Sequence, residues 1–392
     1  MKKILVGTLL GSSVLFGCSK SSDLVTPTTT STSEKLELAS ASLTQNIKMS
    51  LPLNGTSVYI KDVSTLKLAP GDTIVIPKSV TKVALYNVRG ASGKPIVVTA
   101  AAGAVIGGGT GCSFDINGQY IKVVNVNIKG LSTSLGFKAY YTSDLALQNV
   151  TVDGASIGVM IKNDPLAGQT NTYYPTTIKN ISLTDVSVKN TTGEGFYLGN
   201  TADYQSGYKT SPIIGLTVTN VKAENTGWDG FQITSAQNCR VNAVSVINAG
   251  TANKTAQMNG ITIQDATTGS FSNMSVYKCT GPGLQIFGCG NFTVDGLNLK
   301  DVVLTSKSYG IFVDNRPDRF NLAAKKLIMS NVTLTQTSVK GKMAMYVVNG
   351  TLNGAKAAIP GTVTNLVYNT GSWGSKVVDY AKNVYYGGTI GK

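Results

Sequence analysis

The chain has 392 residues, with 34 Lys and Arg against 20 Asp and Glu, a formal net charge of +14 and no histidine. The lack of histidine excludes imidazole metal sites and Ser–His–Asp or Cys–His nucleophiles. Only 14% of the residues are charged and 43 are glycine, which is typical of sheet proteins with many tight turns. The basic balance favours an anionic partner such as an acidic polysaccharide. Nucleic acid is not expected as a partner, because no dense Lys/Arg run or basic helix occurs.

The N-terminus predicts an export signal and a lipid anchor. Residues 1–17 have a basic start and an apolar stretch too short to span a membrane, which is typical of a signal peptide. They end in Leu-Phe-Gly before Cys18, which resembles the bacterial lipobox and implies lipidation of Cys18. An ordinary signal followed by a chance cysteine is the alternative. The Ser/Thr-rich residues 18–35 predict a flexible tether.

The predicted signal peptide and lipidation site imply a protein of the bacterial cell envelope. We expect membrane contact through the lipid anchor only, because no other apolar run reaches spanning length. The outer membrane is favoured, and the sequence leaves open whether the protein faces the periplasm or the cell surface.

A short helix is predicted next, over residues 34–47, with Leu36, Leu38, Leu43 and Ile47 as its apolar positions. No later segment has an amphipathic helical pattern. Residues 36–392 are therefore predicted to form one all-β domain, with this helix closing its N-terminal end.

A repeat organises that domain. Each copy contains an alternating strand, a polar turn, a glycine and a second alternating strand. Such a unit cannot bury its apolar face alone, so the copies must stack into a solenoid. In chain order the copies are residues 150–162, 186–199, 221–234, 244–264, 274–287 and 297–313, with weaker ones at 327–349 and 363–383.

Alternation decides which side chains point into the solenoid, and equivalent residues of successive coils are expected about 4.8 Å apart. Asn190, Asn225 and Asn248 each follow an inward residue by four positions, and they predict a ladder of side-chain amides in a turn. The inward pairs predicted after the glycines are Phe196/Leu198, Phe231/Ile233, Ile261/Ile263, Leu284/Ile286 and Ile311/Val313. Those predicted in the preceding strands are Val186/Val188, Val221/Ala223, Val244/Val246, Met274/Val276 and Leu297/Leu299.

These rungs, the asparagine ladder and the Pro-Gly-Asp-Thr-Ile segment at residues 70–74 resemble the pectin-lyase-like superfamily. The resemblance covers roughly residues 50–390. It implies a single-stranded right-handed parallel β-helix and is far more specific for the fold than for function. A β-sandwich is disfavoured, because hairpin turns are few and the period is regular.

Insertions on one side of a solenoid mark its functional face. Three long ones follow the strand after the glycine, at residues 163–177, 200–212 and 315–326. Exposed tyrosines can stack on sugar faces, so the first two insertions predict a sugar-binding rim. The alternative is that the loops pack on their own aromatic residues. The tyrosines concerned are Tyr173, Tyr174, Tyr204 and Tyr208.

Two acids are predicted to lie side by side on this face. Glu194 and Asp229 occupy equivalent places, directly before the glycine of neighbouring copies. Carboxyl groups about 5 Å apart suit a retaining glycosidase, and they could equally hold Ca²⁺. The alternative is that both acids bond local backbone in turns. Trp228, Tyr197 and Gln232 lie beside them on the predicted outward floor and are candidate substrate contacts.

Elimination on an acidic glycan needs a cation for the carboxylate and a base for the C5 proton. Without histidine, that base would be Lys, Arg or Tyr, and Lys162, Lys138 and Arg240 are the cations predicted nearest the floor. Arg316 and Arg319 lie on the third insertion. Members of the superfamily that are pectate lyases, chondroitinases or alginate lyases use such residues with or without calcium. The resemblance therefore implies a similar role for these cations. The signature strings of these lyases are missing here, as is the Gly-His-Gly of polygalacturonases. The alternative for each lysine is that it is a solvated surface charge without a role in catalysis.

The four cysteines after Cys18 match no zinc pattern. Buried free thiols are favoured, although Cys279 and Cys289 could pair across neighbouring turns in an exported protein. The remaining two are Cys112 and Cys239.

The function favoured by the sequence is a cell-envelope lipoprotein that binds polysaccharide. An acidic glycan is the preferred partner, and the catalytic hypothesis is lyase-like or glycosidase-like cleavage. A non-catalytic glycan-binding module and a structural or adhesive surface protein are the alternatives. No cofactor other than calcium is suggested, and the sequence does not decide whether the protein is an enzyme.

Overall fold

The structure is a computed structural model, and it describes thirteen stretches of the chain. They are residues 47–50, 57–163, 178–201, 212–288, 291–304, 309–314, 326–337, 341–348, 351–352, 355–356, 361–368, 373–379 and 384–387. Contacts divide the chain into residues 1–38 and residues 39–392. The predicted signal peptide, Cys18 and the whole tether lie outside the described residues. So do residues 34–46 of the predicted N-terminal helix.

The first half of the fold contains one 3₁₀ turn, Val63–Leu66, and fourteen strands. The strands are β1 (Ile47–Ser50), β2 (Ser57–Ile60), β3 (Thr73–Ile76), β4 (Lys82–Arg89), β5 (Ile96–Ala100), β6 (Ile106–Gly107), β7 (Cys112–Lys129), β8 (Leu135–Ala155), β9 (Val159–Ile161), β10 (Ile178–Thr191), β11 (Phe196–Leu198), β12 (Ile213–Thr226), β13 (Phe231–Thr234) and β14 (Ala236–Gln237).

The second half continues in the same way. Its strands are β15 (Cys239–Ala249), β16 (Ile261–Gln264), β17 (Gly269–Cys279), β18 (Leu284–Phe287), β19 (Asn291–Val302), β20 (Tyr309–Asp314), β21 (Lys326–Thr335), β22 (Gly341–Val348), β23 (Thr351–Leu352), β24 (Ala355–Lys356), β25 (Gly361–Thr364), β26 (Leu366–Tyr368), β27 (Trp373–Asp379) and β28 (Val384–Gly387). Ile47 opens a strand, so the predicted helix is wrong at its last residue.

Twenty-six of these strands form one sheet whose pairings are parallel, and only β23 and β24 stand apart as an antiparallel pair. Each strand pairs with its equivalent in the coils before and after it, as β11 does with β9 and β13. A parallel crossover connection favours the right hand. The fold is the right-handed parallel β-helix that the sequence predicted.

The predicted stacking is confirmed residue by residue. Phe196 pairs with Phe231, Phe231 with Ile261, and Leu284 with Ile311. All of the predicted inward side chains are buried. The Phe196 and Phe231 rings lie 5.5 Å apart inside the coil. Burial of such apolar side chains is the main force that holds one coil on the next.

Glycine recurs before these strands because successive backbones cross closely there. A Cβ atom on Gly195 would lie 2.4 Å from the carbonyl oxygen of Gly230, which is far inside contact distance. Gly195 donates its N–H to the carbonyl of Asp229, at 3.0 Å. The glycine column therefore brings the residues that precede it in neighbouring coils, Glu194 and Asp229, close together.

The asparagine ladder is also confirmed. Asn225 donates its side-chain amide to Asn190 Oδ1 at 3.2 Å, and Asn248 donates to Asn225 Oδ1 at 2.9 Å. The ladder ends on Asp153, which accepts from Asn190 at 2.7 Å. All three asparagines have φ near +55° (57°, 53° and 57°), a conformation that asparagine tolerates better than most residues.

We expect Asn225→Ala to lower the free energy of unfolding by about 1–3 kcal/mol, because it removes two amide bonds and forces alanine into a left-handed backbone. Asn225→Gly removes the same bonds but fits the backbone, so it should cost less than the alanine variant. Urea unfolding of both variants measures this. Wild-type stability of Asn225→Ala would show that the ladder contributes nothing.

Candidate functional site

One face of the solenoid, formed by a part of the 26-stranded sheet, carries the candidate site. We call it the front sheet, defined by β9, β11, β13, β16, β18, β20 and β22 together with the parts of β7 and β8 that pair with them. One set of its outward side chains stacks in a column. In order the column reads Asp115, Lys138, Met160, Tyr197, Gln232, Thr262, Gln285, Phe312 and Tyr346.

Glu194 is buried beside this column, with 3% of its surface exposed. Its Oε2 atom has no hydrogen-bond partner in the described part of the chain. Burial raises the pKa of Glu194 to about 7, and the nearby charge of Asp229 adds to the rise. The residue's own backbone N–H and the charge of Lys162 act in the opposite direction. This carboxyl group therefore holds a proton close to neutral pH.

Asp229 is equally buried, at 2% exposure, but its oxygens are satisfied. Oδ1 accepts from the backbone and side-chain nitrogens of Asn259, each at 2.9 Å, and Oδ2 accepts from Thr262 Oγ1 at 2.7 Å. Burial raises the pKa of Asp229 to about 6 and these hydrogen bonds oppose the rise. The bonds also fix the orientation of the carboxylate.

The two acids sit in consecutive coils, yet their environments differ. Glu194 has an unpartnered oxygen, whereas Asp229 accepts three hydrogen bonds. Burial raises both pKa values, to about 7 for Glu194 and to about 6 for Asp229, so between pH 6 and pH 7 the proton of the pair is found more often on Glu194 than on Asp229. Such a pair can act as general acid and as base or nucleophile.

Lys162 is the cation that the fold brings to these acids. Its Nζ lies 5.0 Å from the centre of the Tyr197 ring and 5.8 Å from that of Tyr140. Its charge lowers the pKa of Glu194, which places it within electrostatic reach of that carboxyl group. Two aromatic faces thus hold a positive charge at the edge of the acid pair.

Sequence reasoning missed an ion pair at the start of the column. Lys138 Nζ bonds Asp115 Oδ2 at 2.8 Å, and Tyr86 donates its hydroxyl to the same oxygen at 2.9 Å. Burial, followed by the charge of Asp115, raises the pKa of Tyr86. The only signal in the sequence is that Asp115 precedes Lys138 by one coil in the column. Lys138 therefore binds a carboxylate within the protein itself.

Two of the predicted substrate contacts border the acids. Gln232 stacks on Tyr197 in the column and is 3% exposed. Trp228 directly precedes Asp229, is half-buried, and has Lys254 Nζ 5.4 Å from its ring centre. The outward floor at Gln232 is therefore more buried than the sequence suggested, while Tyr197 remains half-exposed.

Arg240 is not part of this site, which corrects its expected position near the floor. The chain turns at Ser235 and Asn238, which have φ values of 53° and 57°. Arg240 consequently lies outside the front sheet, is exposed, and pairs with Thr217 and Ser270. Arg240 is near Gln232 in the sequence, but the two residues lie on different faces of the solenoid.

Several predicted residues fall outside the described part of the chain. They are Tyr173, Tyr174, Tyr204 and Tyr208 of the predicted rim, Arg316 and Arg319 of the third insertion, and Cys289. Asn163 and Asn200, at the starts of the first two insertions, are buried, and Asn200 Nδ2 donates to the carbonyl of Asn163 at 2.7 Å.

Cys112, Cys239 and Cys279 are free and buried, as the favoured prediction held. Burial raises the pKa of the Cys112 and Cys279 thiols to about 12, so neither is a nucleophile at neutral pH. Within the described stretches, no helix has the length and apolarity to cross a membrane.

The calcium hypothesis gains little from the geometry. No group of three or more Cys, Asp or Glu able to hold a metal occurs among the described residues. Calcium needs six to eight oxygen ligands, and both oxygens of Asp229 already accept hydrogen bonds.

Solved structures similar to this chain were found. The chain is a parallel β-helix protein. It is similar to the GH136 lacto-N-biosidase from Eubacterium ramulus, at 10% identity and a TM-score of 0.49 over 84% of this chain and 64% of that one. It thus spans less than two thirds of that enzyme. No protein-family model and no curated protein sequence matches it.

Two further structures are similar. The alginate lyase from Paenibacillus sp. str. FPU-7 has 13% identity and a TM-score of 0.41, with 82% of this chain and 95% of that one covered. The periplasmic alginate epimerase AlgG has 10% identity and a TM-score of 0.49, with 82% and 79% covered. Matches this distant concern the fold alone, and the assignment above rests on the strand register.

Proposed function

We propose that this protein binds an acidic polysaccharide along the front sheet and hydrolyses a glycosidic bond at Glu194 and Asp229. The observation that carries the proposal is the buried Glu194 carboxyl, whose Oε2 has no partner in the described residues and lies beside a second, firmly held carboxyl group. A buried polar atom without a partner is costly. It is expected where a ligand completes the site.

The chemistry follows from the different states of the two acids. Glu194, with a pKa of about 7, donates its proton to the leaving-group oxygen as the C1–O bond breaks. The ionised form of Asp229, which accepts hydrogen bonds from Asn259 and Thr262, attacks C1 and forms a glycosyl ester. Water then hydrolyses the ester while Glu194 takes back a proton. Carboxyl groups one coil apart, about 4.8 Å, suit this retaining mechanism.

The preference for an acidic glycan rests on charge. Lys162 lies at the edge of the acid pair between two tyrosine rings, where it can pair with a uronate carboxylate. Tyr197, Gln232 and Trp228 are the substrate contacts proposed around the scissile bond. The net charge of +14 attracts anionic polymers to the protein in general.

We expect the hydrolytic rate to peak between pH 6 and pH 7. Below this range Asp229 becomes protonated and can no longer attack, since its pKa is raised to about 6. Above it Glu194 loses the proton it must donate, since its pKa is about 7. The pH dependence of kcat/KM measures the two apparent values of the pair. A rate that stays constant from pH 5 to pH 9 would contradict these roles.

The proposal is tested by incubating the purified protein with polygalacturonate, alginate, chondroitin and a neutral β-glucan, with calcium or with a chelator. Hydrolysis releases new reducing ends without unsaturated uronates. Unsaturated products would indicate elimination instead, with Lys162 as the base. No product from any polymer would overturn the catalytic proposal.

Non-catalytic glycan binding is the second candidate, and the near-complete burial of Glu194 and Asp229 favours it, since buried acids can serve turns alone. Non-catalytic binding predicts that the polymers retard the protein in an affinity gel and are not cleaved. Glu194→Gln would then leave this retardation unchanged.

We further propose that Cys18 is lipidated and anchors the protein in the bacterial cell envelope, at the outer membrane. The lipobox-like ending before Cys18 and the Ser/Thr-rich tether support this. Labelling cells with a fatty-acid analogue should mark the wild type but not Cys18→Ala. Equal labelling of both would refute the anchor.

A further inference from the structure

Four aromatic rings cluster on the front sheet beyond the acids. Tyr309 and Tyr346 stack with ring centres 4.4 Å apart, and Phe312 stacks on both, at 5.7 Å from Tyr309 and 5.8 Å from Tyr346. Phe287 meets Phe312 edge to face at 5.7 Å. All four side chains are only partly buried. We call this cluster the aromatic platform.

The platform continues the columns of the acid site. Phe312 and Tyr346 belong to the same outward column as Tyr197 and Gln232. Tyr309 lies two residues before the inward Ile311, just as Glu194 lies two residues before the inward Phe196. Phe196 and Ile311 belong to the same inward column. The position that carries an acid at one level of the solenoid therefore carries an aromatic ring further along.

The spacing suits a polymer that lies along the solenoid axis. The register places Tyr309 three coils beyond Asp229, which is roughly 14 Å at about 4.8 Å per coil. A chain whose scissile bond lies at the acids must extend over several sugar units to reach the rings. Short fragments would end before them.

The chemistry of the platform fits sugar rings. A partly exposed aromatic face packs against the apolar C–H face of a pyranose, while tyrosine hydroxyl groups can bond its hydroxyls. The rings are already held by each other, so little side-chain freedom is lost on binding. This pre-organisation distinguishes them from isolated surface tyrosines.

We propose that the aromatic platform is a distal subsite that stacks on sugar units of the same polysaccharide chain that reaches Glu194 and Asp229. This inference rests on the proposed function and extends it. The subsite takes the apolar faces of the pyranose rings, whereas Lys162, on the other side of the acids, takes a carboxylate. The protein thus binds its glycan in one direction along the front sheet.

Tyr346→Leu and Phe312→Leu test the platform, because leucine keeps apolar bulk but has no ring face. Tyr346→Phe keeps the ring and serves as the conservative control. Tyr277→Leu is the matched control elsewhere: Tyr277 is 38% exposed, pairs with Ile247 and Lys300, and contacts Lys278 and Lys300 rather than the platform. Thermal unfolding followed by circular dichroism shows that each variant is folded.

Binding is measured by affinity electrophoresis in gels containing polygalacturonate, alginate, chondroitin or β-glucan. On the polymer that retards the wild type most, each leucine variant at the platform should bind about two- to tenfold more weakly. Tyr346→Phe and Tyr277→Leu should bind like the wild type. Fragments of two or three sugars should bind all variants equally.

Equal retardation of the wild type and both platform variants would overturn the inference, even if the protein cleaves glycan. Weaker binding of Tyr277→Leu to the same extent would also overturn it, since any exposed ring would then suffice. Loss of retardation at the platform without any cleavage would support the platform and refute the hydrolytic role of the acids. A wild type that binds none of the polymers would refute both.

Discussion

Glu194→Gln should lower the rate of glycan cleavage by about 10²- to 10⁴-fold, the usual contribution of a positioned general acid. Glutamine matches glutamate in shape but cannot donate a proton to the leaving group. Because the substitution changes the chemical step, kcat should fall while the affinity for the uncut polymer remains close to that of the wild type. Initial rates of reducing-end release, with binding measured in an affinity gel, separate the two quantities.

Glu224→Gln is the matched control for this loss. Glu224 is another glutamate on a strand of the solenoid, but it lies at the surface and pairs with Lys222 at 2.7 Å. Its substitution should leave the rate unchanged. A Glu194→Gln protein that cleaves as fast as Glu224→Gln would remove Glu194 from the mechanism.

The same Glu194→Gln variant should be more stable than the wild type at pH 8, by on the order of 3 kcal/mol. Folding raises the pKa of this carboxyl group from its usual 4.5 to about 7. As the pH rises, the unfolded chain therefore loses this proton first. The stability contributed by protonated Glu194 is complete below pH 4.5 and is lost as the pH passes 7.

At pH 4 the difference between variant and wild type should accordingly be small. Urea unfolding at pH 4, 6 and 8 measures the difference directly, and taking it between the two proteins cancels the carboxyl groups they share. Glu224→Gln should show no such dependence. A Glu194→Gln protein that is equally or less stable than the wild type at pH 8 would mean that folding does not raise the pKa of Glu194. Stability given up at one position in this way is common at functional sites.

The fold could be predicted from the sequence because a solenoid repeats its constraints. Each coil needs apolar residues at the same offsets, a glycine where backbones cross and an asparagine that tolerates a left-handed turn. The stacking of Phe196 on Phe231 could therefore be predicted although the two residues are far apart in the chain. The helix expected up to Ile47 was wrong at that residue because β1 pairs with β3 there.

The candidate site was only partly visible in the sequence. Glu194 and Asp229 could be paired because both precede a column glycine. Lys162 could be added because the sequence predicts it near the outward floor. Their burial could not be predicted, since periodicity gives the direction of a side chain but not what covers it. Arg240 was misplaced because two turns separate it from β13.

Two other features needed coordinates. The pairing of Lys138 with Asp115 arises from the register between β7 and β8, which the sequence repeat does not cover. The aromatic platform combines residues from several columns, and only the ring geometry shows that Tyr309 and Phe312 meet Tyr346. Sequence patterns described each column separately but not the contacts between columns.

The central claim is that coils folded one upon the next bury two carboxyl groups together and keep one of them protonated near neutrality. Carbon-13 NMR of the glutamate side-chain carboxyl groups, titrated from pH 3 to pH 9 with Glu194→Gln to assign the signal, measures this directly. The Glu194 signal should titrate near pH 7, and nearer its usual pH in Asp229→Asn. Titration near pH 4.5 in the wild type, unaffected by Asp229→Asn, would contradict the account.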